Sequence, residues 1–229
     1  MKSVYWIVTF PDLETPSGGI KQLHRFAECL RLLDHSVYIV QSNSDFRHRW
    51  FNSDIPRVSQ SDWHYGRDLE PEANIIVIPE TFITQLNKFP PRIPKIIFNQ
   101  NTAYTFGIPS DNSLYSPQLI LSYYMRPDVC AICCVSGYDY TVLTEAYGIS
   151  PERVFLIRNA IDCDHLFDTT PSFSKSICLM KRKNYRDAMI VQNLLERSPS
   201  FSGWSFVRIH NVSHQDVIKT LTSCTLFLS

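Results

Sequence analysis

Pro16-Ser17-Gly18-Gly19 separates an apolar run, Val4-Tyr5-Trp6-Ile7-Val8-Thr9-Phe10, from a stretch of helical periodicity. The run is rich in β-branched and aromatic residues, which predicts a buried strand. From Ile20 to Leu33 the apolar residues Ile20, Leu23, Ala27, Leu30 and Leu33 recur at helical spacing, with Lys21, Gln22, Arg25, Glu28 and Arg31 between them. That pattern predicts an amphipathic helix, and Val37-Tyr38-Ile39-Val40 predicts a second strand. Strand, glycine-bearing loop, helix and parallel strand make a right-handed βαβ unit, whose loop and helix N-terminus face a ligand crevice. Two readings of Gly18 and Gly19 follow. Glycines let a backbone approach a phosphate closely, and unpaired N–H groups with the helix dipole favour an anion there. Gly-Gly after Pro-Ser is equally plain turn chemistry, and neither GxGxxG nor GxxxxGK[ST] is present to decide between them. His24, on the same helix, reads either as a crevice group or as a histidine packed beside the loop.

The remaining composition narrows the class. Apolar residues make up 44% and charged residues 19%, which excludes a disordered chain. The longest uncharged apolar runs fall short of the roughly 18 residues that a membrane-spanning helix needs. Met1-Lys2-Ser3 leads straight into the first strand without a small-residue cleavage site, so a cytoplasmic protein is expected. Twenty-two basic against 22 acidic residues leave no net charge, which argues against a general nucleic-acid binder. The seven cysteines are an odd number without disulfide-framework spacing. Cys130, Cys133 and Cys134 lie in the apolar run Val129 to Val135, so buried structural cysteines are expected there and no metal site.

Further strands are predicted at Asn74-Ile75-Ile76-Val77-Ile78-Pro79, at Pro94 to Asn101, at Val129 to Val135 and at Arg153 to Ile157. Between the second and third strands, Asn43 to Leu69 has poor periodicity and carries Phe46, Trp50, Phe51, Trp63 and Tyr65. It reads as a substrate-facing loop or a packed surface segment, with His48 and His64 on the surface. Function gathers at strand carboxyl ends in such sheets, so Glu80, Asn99, Gln100 and Asn101 are expected on the edge that holds Gly18 and Gly19. Asn-Gln-Asn as a simple loop cap is the alternative. The aromatic segment Asn101 to Arg126 suits the faces of a sugar and suits a core equally well.

Val135-Ser136-Gly137, a helix ending Glu145-Ala146-Tyr147-Gly148-Ile149, then Pro151-Glu152-Arg153-Val154 and Ile157-Arg158-Asn159-Ala160-Ile161-Asp162 together resemble a known linker region. It is that of GT-B glycosyltransferases related to glycogen synthase and sucrose synthase, the family 4-like group. The resemblance implies an α/β protein with two domains facing each other across a cleft. Residues 1–160 form a Rossmann-like parallel-sheet domain on the acceptor side, and 161–229 an incomplete Rossmann-like domain for the nucleotide-sugar. In the second domain, strands are predicted at Ser176 to Met180, Trp204 to Ile209 and Cys224 to Leu228, with helices at Asn184 to Glu196 and Gln215 to Leu221. Lys181-Arg182-Lys183 resembles the family's basic station for the donor diphosphate.

The activity so implied is retaining, metal-independent transfer of a sugar from a nucleotide-sugar donor to a glycan or lipid-linked acceptor, with no cofactor. Gly18 and Gly19 are assigned as backbone donors, Arg182 and Lys183 as diphosphate cations, and Asn101 as a polar contact to sugar or acceptor. No general base is assigned. The family's glycine-rich loop and glutamate-bearing helix have no counterpart before Ser229, so poor transfer by this chain alone is expected. Two other readings stay open: a non-catalytic binding module, or one half of a split enzyme that meets a partner chain or a second copy through the incomplete domain.

Overall fold

The computed structural model describes residues 2–106, 115–159, 174–180 and 184–228. The chain forms two compact units, Met1–His48 with Asn52–Ala160, and Arg49–Phe51 with Ile161–Ser229. In the first, seven strands pair in parallel: β1 (Val4–Val8), β2 (Ser36–Gln41), β3 (Arg57–Ser59), β4 (Asn74–Pro79), β5 (Lys95–Asn99), β6 (Val129–Cys134) and β7 (Val154–Leu156). Their spatial order is β3-β2-β1-β4-β5-β6-β7. The chain winds outward from β1 in one direction and from β4 in the other, which is the Rossmann-like arrangement.

Both faces of this sheet are covered, and alternate residues of the strands divide between two cores. Ile7, Ile39, Val77, Phe98 and Cys133 pack with Leu23, Ala27 and Leu30 of α1 (Gly18–Leu32). Val8, Val40, Ile76, Ile78, Ile97, Ile132 and Cys134 join the opposite core. That core takes Phe82, Ile83 and Leu86 from a 3-10 stretch (Glu80–Lys88), with Ile120 and Tyr124 from α3 (Pro117–Tyr124). It also takes Leu143 from a π turn (Val142–Ala146) that continues α4 (Gly137–Thr141).

Three local features depart from the sequence expectation. The Asn43 to Leu69 segment contains β3 and the four-residue α2 (Gln60–Trp63); at three residues, β3 is too short to show a period. Its Trp63 is a core residue stacked on Trp6 with ring centroids 5.8 Å apart, and His48 is buried, not on the surface. Cys130 is exposed although Cys133 and Cys134 are buried. Cys130 sits in a β-bulge: Lys95 pairs with Val129 but Ile96 pairs with Ala131, so Cys130 has no register position on β5, and its thiol donates to the Lys95 carbonyl at 3.2 Å.

After α2 the backbone turns left-handed at His64 (φ 51°), Tyr65 (φ 57°) and Gly66 (φ 74°). For the two L residues this costs on the order of 1 kcal/mol each. Gly66 is required there. A Cβ atom would stand 3.0 Å from Leu69 Cδ1 and 3.2 Å from Trp63 Cζ2.

The second unit is a three-stranded parallel sheet, β10 (Leu226–Leu228), β8 (Ser176–Met180) and β9 (Ser205–Ile209), with α5 (Tyr185–Glu196) and α6 (His214–Ser223). Central β8 buries Ile177, Cys178 and Leu179. Ser213 caps α6 by accepting from the Asp216 N–H at 3.1 Å.

At the amino edge of the first sheet, fully buried Lys95 donates to Pro90 O and, at 2.6 Å, to Asp128 Oδ2. Arg126 donates twice to the same carboxylate, each at 2.8 Å. Breaking a buried pair leaves an uncompensated charge. Lys95→Ala is therefore expected to lower folding stability by about 3–5 kcal/mol, with Lys95→Met milder because it keeps the packed stem; denaturant unfolding of the two variants checks this.

Candidate functional site

The strand order reverses between β1 and β4, and ligands of open parallel sheets bind outside the carboxyl ends at such a point. Three segments meet there: the start of α1 with Gly18 and Gly19, Glu80 directly after β4, and Asn99-Gln100-Asn101 at the exit of β5. Gln100 joins them. Its backbone N–H donates to Glu80 Oε2 at 3.1 Å, and its side-chain Nε2 donates to the Gly19 carbonyl at 3.2 Å. Gly19 allows this approach, since a Cβ atom there would stand 3.2 Å from Gln100 Nε2. Around Gly18 the added Cβ would meet nothing within 4 Å.

Glu80 is 4% exposed. Burial is the main force on its carboxyl and pushes the pKa from 4.5 up to about 7. Backbone N–H groups of Gln100, Glu80 and Asn101 pull it down, and the charge of Asp139 pushes it further up. Asp139 itself ties the β5 exit to α4. It accepts from Thr102 N at 3.2 Å and Thr102 Oγ1 at 3.0 Å, while Ser136 caps the helix by accepting from the Asp139 N–H at 3.0 Å.

The amide run after β5 divides its work. Asn99 is fully buried and donates from Nδ2 to Tyr124 Oη at 2.7 Å and to Thr105 Oγ1 at 3.2 Å, so it holds the loop. Asn101 Oδ1 accepts from Ala103 N at 3.0 Å and caps the turn Thr102–Tyr104. Gln100 alone of the three reaches toward the glycines. Sequence reasoning named this edge but could not single out Gln100, because neighbouring amides look alike until the loop is folded. Arg182 and Lys183 lie outside the described residues.

His24 packs beneath the loop, fully buried, with its ring edge-on to His48 at 5.6 Å. Burial first, then the charges of His48, Arg57 and Arg25, lower its pKa to about 3. It is therefore neutral at physiological pH and closed off from the crevice.

No sequence profile of a known protein family matches the chain, and no curated protein does. Solved structures match it in architecture. A glycosyltransferase from Rickettsia africae ESF-5 has a TM-score of 0.59 at 13% identity, over 100% of this chain and 73% of its own. An alpha-glucosyltransferase in complex with UDP and a 13-mer DNA containing an HMU base gives 0.53 at 13% identity, over 96% of this chain and 61% of its own. The chain shares the fold of these two proteins. An alpha-glucosyltransferase (AGT) in complex with UDP adds a third example, with a TM-score of 0.50 at 12% identity, over 96% of this chain and 62% of its own. The chain thus spans less than two thirds of the length of both UDP complexes. Among the described residues no helix is long and apolar enough to cross a membrane.

Glu80 and His24 tilt stability in opposite senses. Folded Glu80 keeps its proton to about 7, so its contribution is present below pH 4.5 and lost as pH rises through 7. Folded His24 stays neutral, so its contribution is present above pH 6.5 and lost as pH falls toward 3. Urea titrations across pH are expected to show Glu80→Gln removing the decline between about pH 4.5 and 7, worth on the order of 3 kcal/mol. His24→Leu is expected to flatten the acid limb below pH 6.5.

Proposed function

We propose that this chain is a glycosyltransferase that moves a sugar from a nucleotide-sugar donor to a glycan or lipid-linked acceptor. The observation that carries the reading is the start of α1 at the sheet's switch point. The Ser17 hydroxyl makes no capping hydrogen bond, no acidic residue occupies the first turn, and the space beside Gly18 is open. The first N–H groups of a helix have no partner within it, and here they face the edge where parallel sheets take ligands. The UDP carried by two of the fold neighbours is the kind of anion such an end attracts.

In this reading the bond between the sugar and the diphosphate breaks with oxocarbenium character on the sugar and negative charge on the leaving group. Backbone N–H groups of Gly18 and Gly19 and the cations Arg182 and Lys183 stabilise that charge. Asn101, with Oδ1 committed to its own turn, offers Nδ2 to a sugar or acceptor hydroxyl. Glu80 and Gln100 act as positioning residues: they fix the Gly19 carbonyl and with it the aim of the helix start. Retention of configuration and independence from metal follow the resemblance to glycogen synthase-type enzymes.

Calorimetric titration with UDP tests this assignment. Arg182→Ala is expected to weaken binding roughly 10- to 100-fold, the loss of a charged hydrogen bond, while Arg186→Ala on the exposed first turn of α5 changes it little. Equal losses in the two variants count against the diphosphate role. Gly18→Val, which fills the open space, is expected to weaken UDP binding without unfolding the chain.

A second reading, a module that associates with another chain, draws on the second unit. Leu226 and Phe227 of edge strand β10 are 45% and 44% exposed, and an uncovered apolar edge invites pairing. Light scattering is expected to show self-association that Phe227→Ser reduces; a monomer at all concentrations removes this reading.

A further inference from the structure

A second concavity lies on the same carboxyl edge of the first sheet, at its β2–β3 flank. It has a volume of about 440 Å³ and is lined by Ser42, Gln60, Ser61, His64, Tyr65 and Arg67, a size suited to one small ligand. Ser42 follows β2, Gln60 and Ser61 follow β3, His64 and Tyr65 belong to the left-handed turn, and Arg67 directly follows it. None of the six is acidic.

The turn is rigidly supported. Tyr65 meets Phe10 edge-on at 6.0 Å and Phe89 at 5.4 Å, and its hydroxyl accepts from Gln60 Nε2. Lys88 Nζ stands 5.6 Å from its ring centre. Arg92 donates to the Arg67 carbonyl at 2.5 Å and to the Leu69 carbonyl at 3.1 Å, pinning the backbone that carries the Arg67 side chain. His64 Nδ1 lies 4.0 Å from Asp68 Oδ2. The Arg67 guanidinium has no hydrogen bond or ion pair among the described residues. A planar cation left unpaired over a pocket of hydroxyl, amide and aromatic groups matches an oxyanion attached to a polyol.

We propose that this cavity binds a sugar carrying one anionic group, a hexose phosphate or a hexuronate. Arg67 takes the oxyanion in a bidentate pair, Gln60, Ser42 and Ser61 take ring hydroxyls, and the Tyr65 ring faces the sugar's C–H surface. None of its lining residues belongs to the Gly18 station, and the proposal does not depend on the transfer reading.

Calorimetric titration of the intact chain without donor uses glucose 6-phosphate, glucuronate, glucose and inorganic phosphate as probes. One of the two anionic sugars is expected to bind at least tenfold more tightly than glucose and than inorganic phosphate, and which one it is identifies the anion. Arg67→Ala is expected to erase that preference and Arg67→Lys to restore it in part, while Arg197→Ala, an exposed arginine of the second unit, leaves it unchanged. Saturating UDP and the Gly18→Val change are expected to leave the binding intact, which separates this site from the donor reading. Equal binding of glucose and its anionic derivatives, equal binding of bare phosphate, no binding of any probe, or a preference that survives Arg67→Ala each overturns the proposal.

Discussion

A carboxyl group that folds out of reach of water must find donors, and Glu80 finds them in the backbone where two strands end. The N–H groups of Gln100, Asn101 and Glu80 itself converge on it, so the exits of β4 and β5 are set against each other. The Gln100 side chain then carries the constraint across to α1 through the Gly19 carbonyl. One buried acid thus orders three segments that come from distant parts of the sequence, and the geometry of the crevice depends on it.

Lys95 supplies the counterpart at the amino edge, where it joins β5 to the turn before β6. Burial drives both groups toward their neutral forms, Lys95 down and Glu80 up. The difference lies in the partners. Lys95 faces a carboxylate that Arg126 also holds, whereas among the described residues Glu80 faces N–H dipoles and the further negative charge of Asp139. Glu80 is accordingly the group whose proton is exchangeable near neutrality, and it lies at the ligand edge.

The strands were legible in the sequence because a parallel sheet covered on both faces needs unbroken apolar runs. Asn74–Pro79 and Ser176–Met180 match their predicted limits to the residue. What escaped notice was short or conditional. β3 has three residues and no period. The Glu80–Lys88 stretch is 3-10 and only nine residues long, so the helical spacing of Phe82, Ile83 and Leu86 makes too short a pattern to stand out. His48 looked like a surface residue because it stands between Arg47 and Arg49, yet its ring packs edge-on against Phe46 and against His24 from another element. The same holds at the candidate site: the edge follows from topology alone, but the choice of Gln100 among three amides, and the assembly of Ser42, Gln60 and Arg67 around one cavity, follow from loop paths that no spacing encodes.

The bulge at Cys130 shows how a length is set in one place and used in another. One surplus residue at the start of β6 shifts all that follows by one place against β5, so that Cys134 stands opposite Asn99. Beyond them, Asp139 meets Thr102. Cys130 therefore serves as a shim. Were Cys130 paired with Ile96 in a regular ladder instead of looped out, the strand beyond it would slip by about 3.3 Å and exchange its two faces, sending Cys133 and Cys134 into each other's cores and drawing Asp139 out of reach of Thr102. An exposed cysteine with no chemistry of its own thus sets the alignment of the opposite, ligand-bearing end of the sheet.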